Sequence, residues 1–247
     1  MSTQPPHDGL LLFARYAFMP NRLGFCGGPA LPDGGLFEPC AAAQSSPELR
    51  DWARQFEGAY PYLALIARAN GLPDPLDYRV VEAYWLGNEL LAGAALAPLY
   101  DSLRERFARR LTPKTLELVL GKVPAGAKPF HAFHVLEVCR RTGALTESLE
   151  TLENCRISWG RVQSVDDGRL YVASQPIVLE NGRLSLGPEQ TRYVTRQMEG
   201  RGFVDRVSPG DWVSIHWGWA CDRLTDRQRN NLRGHTLEHL ALASQTL

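Results

Sequence analysis

Two residues in the C-terminal part of the sequence, Cys155 and His216, are of types that commonly bind metal ions. His216 lies in "GDWVSIHWGWACDRL" (210–224), where strand alternation places it on one face with Ser214 and Gly218. These small neighbours leave space above the imidazole for a ligand or for another chain's backbone. Cys155 opens a β-rich stretch, and a thiolate and an imidazole together can hold a first-row metal. Cys155 and His216 are therefore a candidate metal site, the alternatives being a barrel-edge histidine and a buried structural thiol.

A possible second metal site combines residues of the N-terminal half. Cys26 lies in "RYAFMPNRLGFCGG", a Gly-rich segment in which Arg15 and Arg22 would lower the pKa of a nearby thiol. His131 and His134 stand three positions apart in "FHAFHVLEVCRR", a spacing that lets both face the same way on a helix. The alternative is that the helix packs in the core and that the Gly-rich segment is a structural loop.

Other catalytic motifs have little support. His235, Glu238 and His239 spell the inverted zincin pattern His-x-x-Glu-His, but no third zinc ligand follows and five-residue patterns arise easily by chance. The chain contains no P-loop, no complete G-x-G-x-x-G and no G-x-S-x-G motif. Nucleotide-dependent and serine-hydrolase chemistry are therefore not expected.

Composition limits the kinds of partner. The 247 residues include 27 Lys and Arg and 27 Asp and Glu, so no net charge attracts nucleic acid or an anionic membrane. Five cysteines without a Cys-x-x-Cys pair argue against a disulfide framework and favour reduced thiols. No stretch approaches the roughly 20 apolar residues of a membrane span. We expect a soluble, cytoplasmic protein with neither nucleic acid nor membrane as partner.

The first 150 residues show the patterns of an all-α domain. A Gly- and Pro-rich loop is predicted over 20–47, followed by a helical pattern from Pro47 that Pro61 kinks or splits. Glycines just past the ends of the periodic segments are typical helix stops. Further helices are predicted at 77–93, 97–110, 113–120, 129–142 and 146–153.

From about residue 154 the pattern becomes that of β-strands. Turns at Asp167-Gly168 and Asn181-Gly182 separate β-rich runs, which indicates hairpins. The capping box Thr225-x-x-Gln228 then begins a C-terminal helix. The predicted fold class is α+β, with an all-α domain over 1–150 and a small β-barrel plus helix over 154–247.

Two motifs in this second part resemble those of a known family. They read Cys155-x-x-x-x-Gly160 and Pro209-Gly210-Asp211-Trp212-Val213-x-Ile215-His216-x-Gly218-Trp219-Ala220. About residues 154–245 are similar to the HypC/HupF hydrogenase maturation chaperones. Those small proteins begin with Cys-x-Gly-x-Pro-Gly and carry a Gly-Asp-aromatic-Val-x-Val-His-x-Gly-Phe-Ala strand before a closing helix.

The resemblance implies an OB-like barrel that helps to assemble the iron centre of [NiFe]-hydrogenases. Family members bind the Fe(CN)2(CO) fragment through the motif cysteine, with the strand histidine nearby. They pass it from a HypD-type scaffold protein to the hydrogenase large subunit. By position, the iron-binding roles fall on Cys155 and His216, with Gly160, Asp211 and Gly218 in supporting roles.

The chain departs from the family around the cysteine. Cys155 is internal, whereas the family's cysteine becomes the first residue, and Ile157 and Trp159 replace the motif's inner Gly and Pro. Three hypotheses follow. The first is a maturation chaperone that binds the iron fragment or the immature large subunit. The second is an enzyme whose α-domain makes or modifies a CO or CN ligand, with the barrel as docking module. The third is an interaction module without metal.

Overall fold

The computed structural model of the protein describes residues 8–27, 35–94, 96–143 and 148–247. A helical region comes first and a sheet followed by a helix comes second, which confirms the mixed architecture predicted from the sequence. The helix predicted from residue 146 begins outside the described residues, as does the middle of the predicted loop, 28–34. No helix among the described residues is both long enough and apolar enough to pass through a membrane.

The helices agree with most of the predicted ranges, but the helix predicted over 77–93 is divided into an α-helix (Tyr78–Trp85) and a 3-10 helix (Glu89–Gly93), and the predicted loop contains helical residues. Within 20–47, the first helix continues to Arg22 and a short helix forms at Phe37–Ala41. The pattern from Pro47 is split, with Pro61 in the first turn of the second helix, where its missing N–H costs nothing. The helices are α1 (Gly9–Arg22), α2 (Phe37–Ala41), α3 (Pro47–Arg54), α4 (Tyr60–Ala69), α5 (Tyr78–Trp85), a 3-10 helix (Glu89–Gly93), α6 (Leu96–Phe107), α7 (Pro113–Gly121), α8 (His131–Phe133), a π-helical segment (His134–Cys139), α9 (Arg140–Thr142), α10 (Leu149–Cys155) and α11 (Asp226–Ser244).

Five strands of the C-terminal part form a closed barrel in the order β1-β2-β5-β9-β8. β5 runs parallel to β9, and the other barrel pairs are antiparallel. Both predicted Asx-Gly turns are confirmed, since they join β1 to β2 and β3 to β4. The strands are β1 (Ser158–Asp166), β2 (Arg169–Ser174), β3 (Ile177–Glu180), β4 (Arg183–Leu186), β5 (Gln190–Thr195), β6 (Gln197–Met198), β7 (Arg201–Gly202), β8 (Trp212–His216) and β9 (Trp219–Leu224).

The segment predicted as one strand over 210–224 is a hairpin. β8 ends at His216 and β9 begins at Trp219, and these two residues pair across the turn. Trp217 and Gly218 form the turn with φ angles of 51° and 70°, the left-handed values that a two-residue type I′ turn requires. The prediction that Gly218 shares a strand face with His216 is therefore wrong, because the chain reverses before the alternation reaches Gly218.

Gly218 should be sensitive to substitution because of its backbone conformation alone. A Cβ at this position would meet no atom within 4 Å, so the cost of Gly218→Ala is that of a left-handed L-residue. We expect the free energy of unfolding to fall by about 1–2 kcal/mol in urea titrations. The matched control is Gly121→Ala, at the end of α7, which also meets nothing within 4 Å and should gain up to about 1 kcal/mol. Equal changes in the two variants would contradict this explanation.

The helical region and the barrel share one continuous hydrophobic core. α1 packs against β8 and β9, and Phe18 of α1 contacts the ring of Trp219 edge-on, with centroids 5.1 Å apart. At the other end, the Lys122 ammonium donates to the carbonyl of Leu242 near the end of α11. The contacts of α1 fix the helical region against the barrel beside His216, and the Lys122 bond joins that region to α11.

Candidate metal centre

Three buried side chains converge where the helical region meets the barrel. The ligand atoms of His131, Cys155 and His216 all lie within 4.8 Å of one another. His131 begins α8, Cys155 is the last residue of α10, and His216 ends β8. The structure thus brings together the two residues of the predicted site and adds a histidine that the sequence had placed in a different one.

The orientation of His216 is fixed by a carbonyl of helix α1 that Pro20 leaves without its usual hydrogen bond. Pro20 has no N–H, so the carbonyl of Tyr16, four residues earlier, lacks its usual partner within the helix. His216 Nδ1 donates to this carbonyl at 2.6 Å. The other ring nitrogen, Nε2, is therefore unprotonated, and it is buried without a hydrogen-bond partner among the described residues. A histidine held through one nitrogen with the other free is the usual arrangement of a metal ligand.

His131 has an outer partner of the same kind. Its Nδ1 lies 3.2 Å from the Tyr84 hydroxyl, which in turn lies 3.2 Å from the carbonyl oxygen of Gly58. The Cys155 carbonyl accepts from His131 Nε2–H at 2.8 Å, so in the neutral imidazole Nδ1 is unprotonated and accepts from the Tyr84 O–H. Metal binding at Nε2 would require the proton to move to Nδ1, which would then donate to the Tyr84 oxygen while the Tyr84 O–H donates to the Gly58 carbonyl.

The thiol of Cys155 is positioned by the junction between α10 and the β8–β9 turn. The Trp217 N–H donates to the carbonyl of Asn154 at 2.9 Å, which holds the turn against the end of α10. The Trp217 indole stacks on Phe25, with ring centroids 3.9 Å apart. The turn that was missed in the sequence is thus the element that brings Cys155 beside His216.

Burial sets the protonation of the three donors. It lowers the pKa of His131 well below its ordinary value, with the neighbouring His216 adding to the effect. It also lowers the pKa of His216 to about 4, although the bond to the Tyr16 carbonyl opposes this. Burial raises the pKa of the Cys155 thiol well above its ordinary value. Both imidazoles are therefore neutral near pH 7, and a metal must displace one proton, that of the thiol.

The donor set fits a borderline or soft first-row metal ion. One thiolate and two imidazoles are ligands of zinc, copper and iron, and three protein donors leave at least one coordination position open. With bonds of about 2.0–2.3 Å, donors around one ion are separated by about 3.5–4 Å. The observed separations, up to 4.8 Å, therefore require a contraction of at most about 1.3 Å to bind one ion.

Tyr84 should affect metal affinity without touching the metal. Loss of an outer hydrogen bond to a ligating histidine typically costs 10- to 100-fold in affinity, and we expect Tyr84→Phe to lower metal affinity by this factor. Tyr62→Phe is the matched control, because Tyr62 stacks on Tyr84 but its hydroxyl lies 3.1 Å from His134 Nδ1 instead. Calorimetric titration of both variants with cobalt(II) measures the effect. Equal affinities would exclude Tyr84 from this role.

The predicted second site, formed by Cys26, His131 and His134, is divided between two places. His131 belongs to the buried centre, whereas Cys26 and His134 line a neighbouring cleft together with Cys139. His134 and Cys139 begin and end the π-helical segment, a rare conformation that occurs frequently at functional sites. The spacing of His131 and His134 predicted that both lie on one helix. It did not predict that His131 reaches the buried centre while His134 lines the cleft.

The zincin-like pattern on α11 does not present free metal ligands. His239 Nδ1 donates to the carbonyl of His235 at 2.7 Å, and His239 Nε2 accepts from the Lys128 N–H at 3.2 Å. His235 Nδ1 lies 3.1 Å from Glu238 Oε2. Both nitrogens of His239 are thus already used, Nδ1 within α11 and Nε2 to join α11 to the segment before α8.

The three supporting residues shape the barrel rather than the centre itself. A Cβ on Gly160 would lie 2.7 Å from Val172 Cγ2, so glycine permits β1 and β2 to approach. Asp211 Oδ2 accepts from the Ser208 N–H at 2.9 Å and forms the turn that precedes β8. Gly218 completes the β8–β9 turn beside His216.

Comparison with protein families finds a match over residues 5–247 to a family model described as a family of unknown function. The chain belongs to this family, DUF6390. The DUF6390 match spans the helical region and the barrel, and so includes all three donors of the centre. Comparisons with curated proteins and with solved structures gave no match.

Proposed function

We propose that this DUF6390 protein is an accessory factor in the assembly of [NiFe]-hydrogenase, and that its cargo is iron as the Fe(CN)2(CO) fragment. The observation that carries the proposal is the buried cluster of His131, Cys155 and His216, with His216 Nε2 unpartnered among the described residues. Two of the three residues lie in the motifs that resemble HypC/HupF chaperones. The thiolate of Cys155 would be the principal ligand, with the imidazoles beside it.

The ligand chemistry suits a carrier. Cyanide and CO fill three of the positions around iron, so few protein donors are needed to complete its coordination. A closed four-ligand site holds a metal permanently, whereas a site with fewer donors can both receive and release its cargo. The single anionic donor, Cys155, is also neutral when the site is empty, since burial raises the pKa of the thiol. Reprotonation of the thiol therefore favours release.

The barrel supports the proposal through its architecture. Five strands close in the order β1-β2-β5-β9-β8, and a helix follows, as expected for an OB-like barrel of the HypC type. We propose a HypD-type scaffold and the hydrogenase large subunit as partners in the cytoplasm. The equal numbers of acidic and basic residues favour these protein partners over nucleic acid or a membrane surface.

The test is isolation of the full chain with a HypD-type partner without oxygen, followed by infrared spectroscopy and iron analysis. We expect iron together with CN and CO stretching bands on the protein, and loss of both in Cys155→Ala and His216→Ala. Cys40→Ala is the matched control, because Cys40 is a buried thiol in α2 outside the cluster. Absence of the bands, or bands unchanged in the two ligand variants, would overturn the carrier function.

A further inference from the structure

A cleft of about 1560 Å³ opens in the helical region. It lies between the segment that follows α1, the connection from α3 to α4, the end of α6 and the π-helical segment. Much of its wall is aromatic, with the rings of Phe25, Trp52, Phe56, Tyr60 and Phe107. An apolar cleft with a small number of polar groups is the usual form of a small-molecule site. The polar groups of the lining therefore indicate the kind of molecule that fits.

Arg106 is a half-buried cation of this cleft that pairs with no carboxylate among the described residues. The other two arginines of the lining are neutralised, since Arg54 pairs with Asp51 at 3.2 Å and Arg110 pairs with Glu57 at 3.1 Å. Arg106 Nη1 is shielded from water and has no hydrogen-bond partner in the described part of the chain. A partly dehydrated charge without a counter-ion attracts an anion more strongly than the same charge in water.

Three uncharged groups hold the Arg106 guanidinium in place. Its Nη2 donates to the Glu57 carbonyl at 2.7 Å. The guanidinium carbon lies 4.8 Å from the centroid of the Tyr62 ring and 5.0 Å from that of the Phe107 ring. A guanidinium has five N–H donors, and the bond to Glu57 uses one of them. The position of the cation is thus fixed before a ligand arrives, and donors remain for an anion.

Tyr62 also positions the imidazole of His134 beside this cation. The Tyr62 hydroxyl lies 3.1 Å from His134 Nδ1, and the two rings meet edge-on with centroids 5.4 Å apart. Burial lowers the pKa of His134 to about 3, and the Arg106 guanidinium adds to the effect. The imidazole is therefore neutral near pH 7, and Arg106 supplies a single positive charge at this place in the cleft.

We propose that this cleft binds a small organic monoanion, a carboxylate on a flat apolar body, with the carboxylate against Arg106 and the body against the aromatic walls. A phosphate dianion would require a second free cation, but Arg54 and Arg110 are already paired. Glu48, the remaining carboxylate of the lining, is exposed at the start of α3, where water and salt screen its charge. The proposal does not depend on the proposed function, because none of the three residues of the buried centre lines the cleft.

The test is calorimetric titration of the full chain with 2-naphthoate and with 2-naphthamide, its uncharged counterpart of nearly the same shape. We expect naphthoate to bind about tenfold more tightly or better, the effect of one charge-assisted hydrogen bond. Arg106→Gln should lower the affinity for naphthoate by about the same factor and change that for naphthamide little. The matched control is Arg104→Gln, which should change neither affinity, because Arg104 lies on the same helix but is exposed and pairs with Asp101 at 3.1 Å.

Equal affinities for naphthoate and naphthamide would overturn the proposal. An absence of naphthoate binding at millimolar concentration would do so too, as would an affinity that Arg106→Gln leaves unchanged. Circular dichroism verifies that each variant is folded. If Arg106→Gln does not fold, Arg106→Met takes its place with the same expected loss, because it keeps an apolar stem against the rings of Tyr62 and Phe107. Cys155→Ala should bind naphthoate as the unsubstituted protein does, so this proposal and the proposed function can fail separately.

Discussion

Replacing Cys155 with alanine is expected to lower the affinity of the buried centre for cobalt(II) by more than 100-fold. Cys155 is the only anionic donor among the three residues of the centre. Loss of an outer hydrogen bond already costs 10- to 100-fold, so loss of the thiolate itself should cost more. Calorimetric titration without oxygen measures the change.

Controls for this prediction come from residues of similar burial. Cys40 is as little exposed as Cys155, at 3 %, and Cys40→Ala should leave the affinity within a factor of two or so. For the imidazoles, His131→Ala is compared with His239→Ala, since both side chains are buried but His239 lies outside the centre. If Cys155→Ala bound cobalt(II) as tightly as Cys40→Ala, the centre would not be a metal site.

Replacing Glu137 with glutamine is expected to cost about 3–5 kcal/mol of stability, because it leaves buried cations without their counter-ion. Glu137 lies on the π-helical segment, with Arg141 Nε at 3.1 Å and Lys122 Nζ at 3.7 Å. The side chains of Glu137 and Lys122 are 1 % and 3 % exposed. Urea unfolding followed by fluorescence and circular dichroism measures the loss as a lower midpoint with an unchanged slope.

A double substitution distinguishes this mechanism from a simple packing effect. Burial raises the pKa of Glu137 and lowers that of Lys122, so desolvation exceeds the mutual attraction of the pair. Lys122→Met combined with Glu137→Leu removes both buried charges, and Arg141 keeps its hydrogen bonds to Thr246. We expect the double variant to be more stable than Glu137→Gln, and close to or above the unsubstituted protein. A double variant less stable than either single one would indicate packing instead.

Local sequence signals predicted most of the fold. Asp167-Gly168 and Asn181-Gly182 marked two hairpins because such turns require a positive φ, which Gly168, Asn181 and Gly182 adopt. The Thr225–Gln228 capping box marked the start of α11, where both of its hydrogen bonds form. These features depend on neighbouring residues only, so they can be recognised without knowledge of the tertiary structure.

The turn at Trp217-Gly218 was missed because it depends on tertiary contacts more than on neighbouring residues. Tryptophan rarely adopts a positive φ, and the alternation of apolar residues continues through the turn. Its conformation is stabilised by tertiary contacts, the stack on Phe25 and the hydrogen bond to the carbonyl of Asn154. Gly218 was the one local signal that a turn was present.

The site was only partly predictable because its members come from three elements. Cys155 and His216 were singled out by residue type and by the small residues around the histidine. His216 donates to the Tyr16 carbonyl, which Pro20 leaves without a partner inside helix α1. This contact forms only because α1 packs against the barrel. His131 reaches the same place through tertiary contacts with Trp85 of α5 and with the carbonyl of Cys155, and its spacing from His134 carries no information about them.

The ligands of the centre are divided between the two halves of the molecule, which couples metal binding to their association. His131 belongs to the helical region, while His216 belongs to the barrel. An ion present at 100 times its dissociation constant would add about 2.7 kcal/mol to the joined state, and amide exchange would slow in both halves together. The coupling is reciprocal. A partner that draws the helical region away from the barrel would therefore weaken metal binding by the same factor, and cargo could leave without any competing ligand.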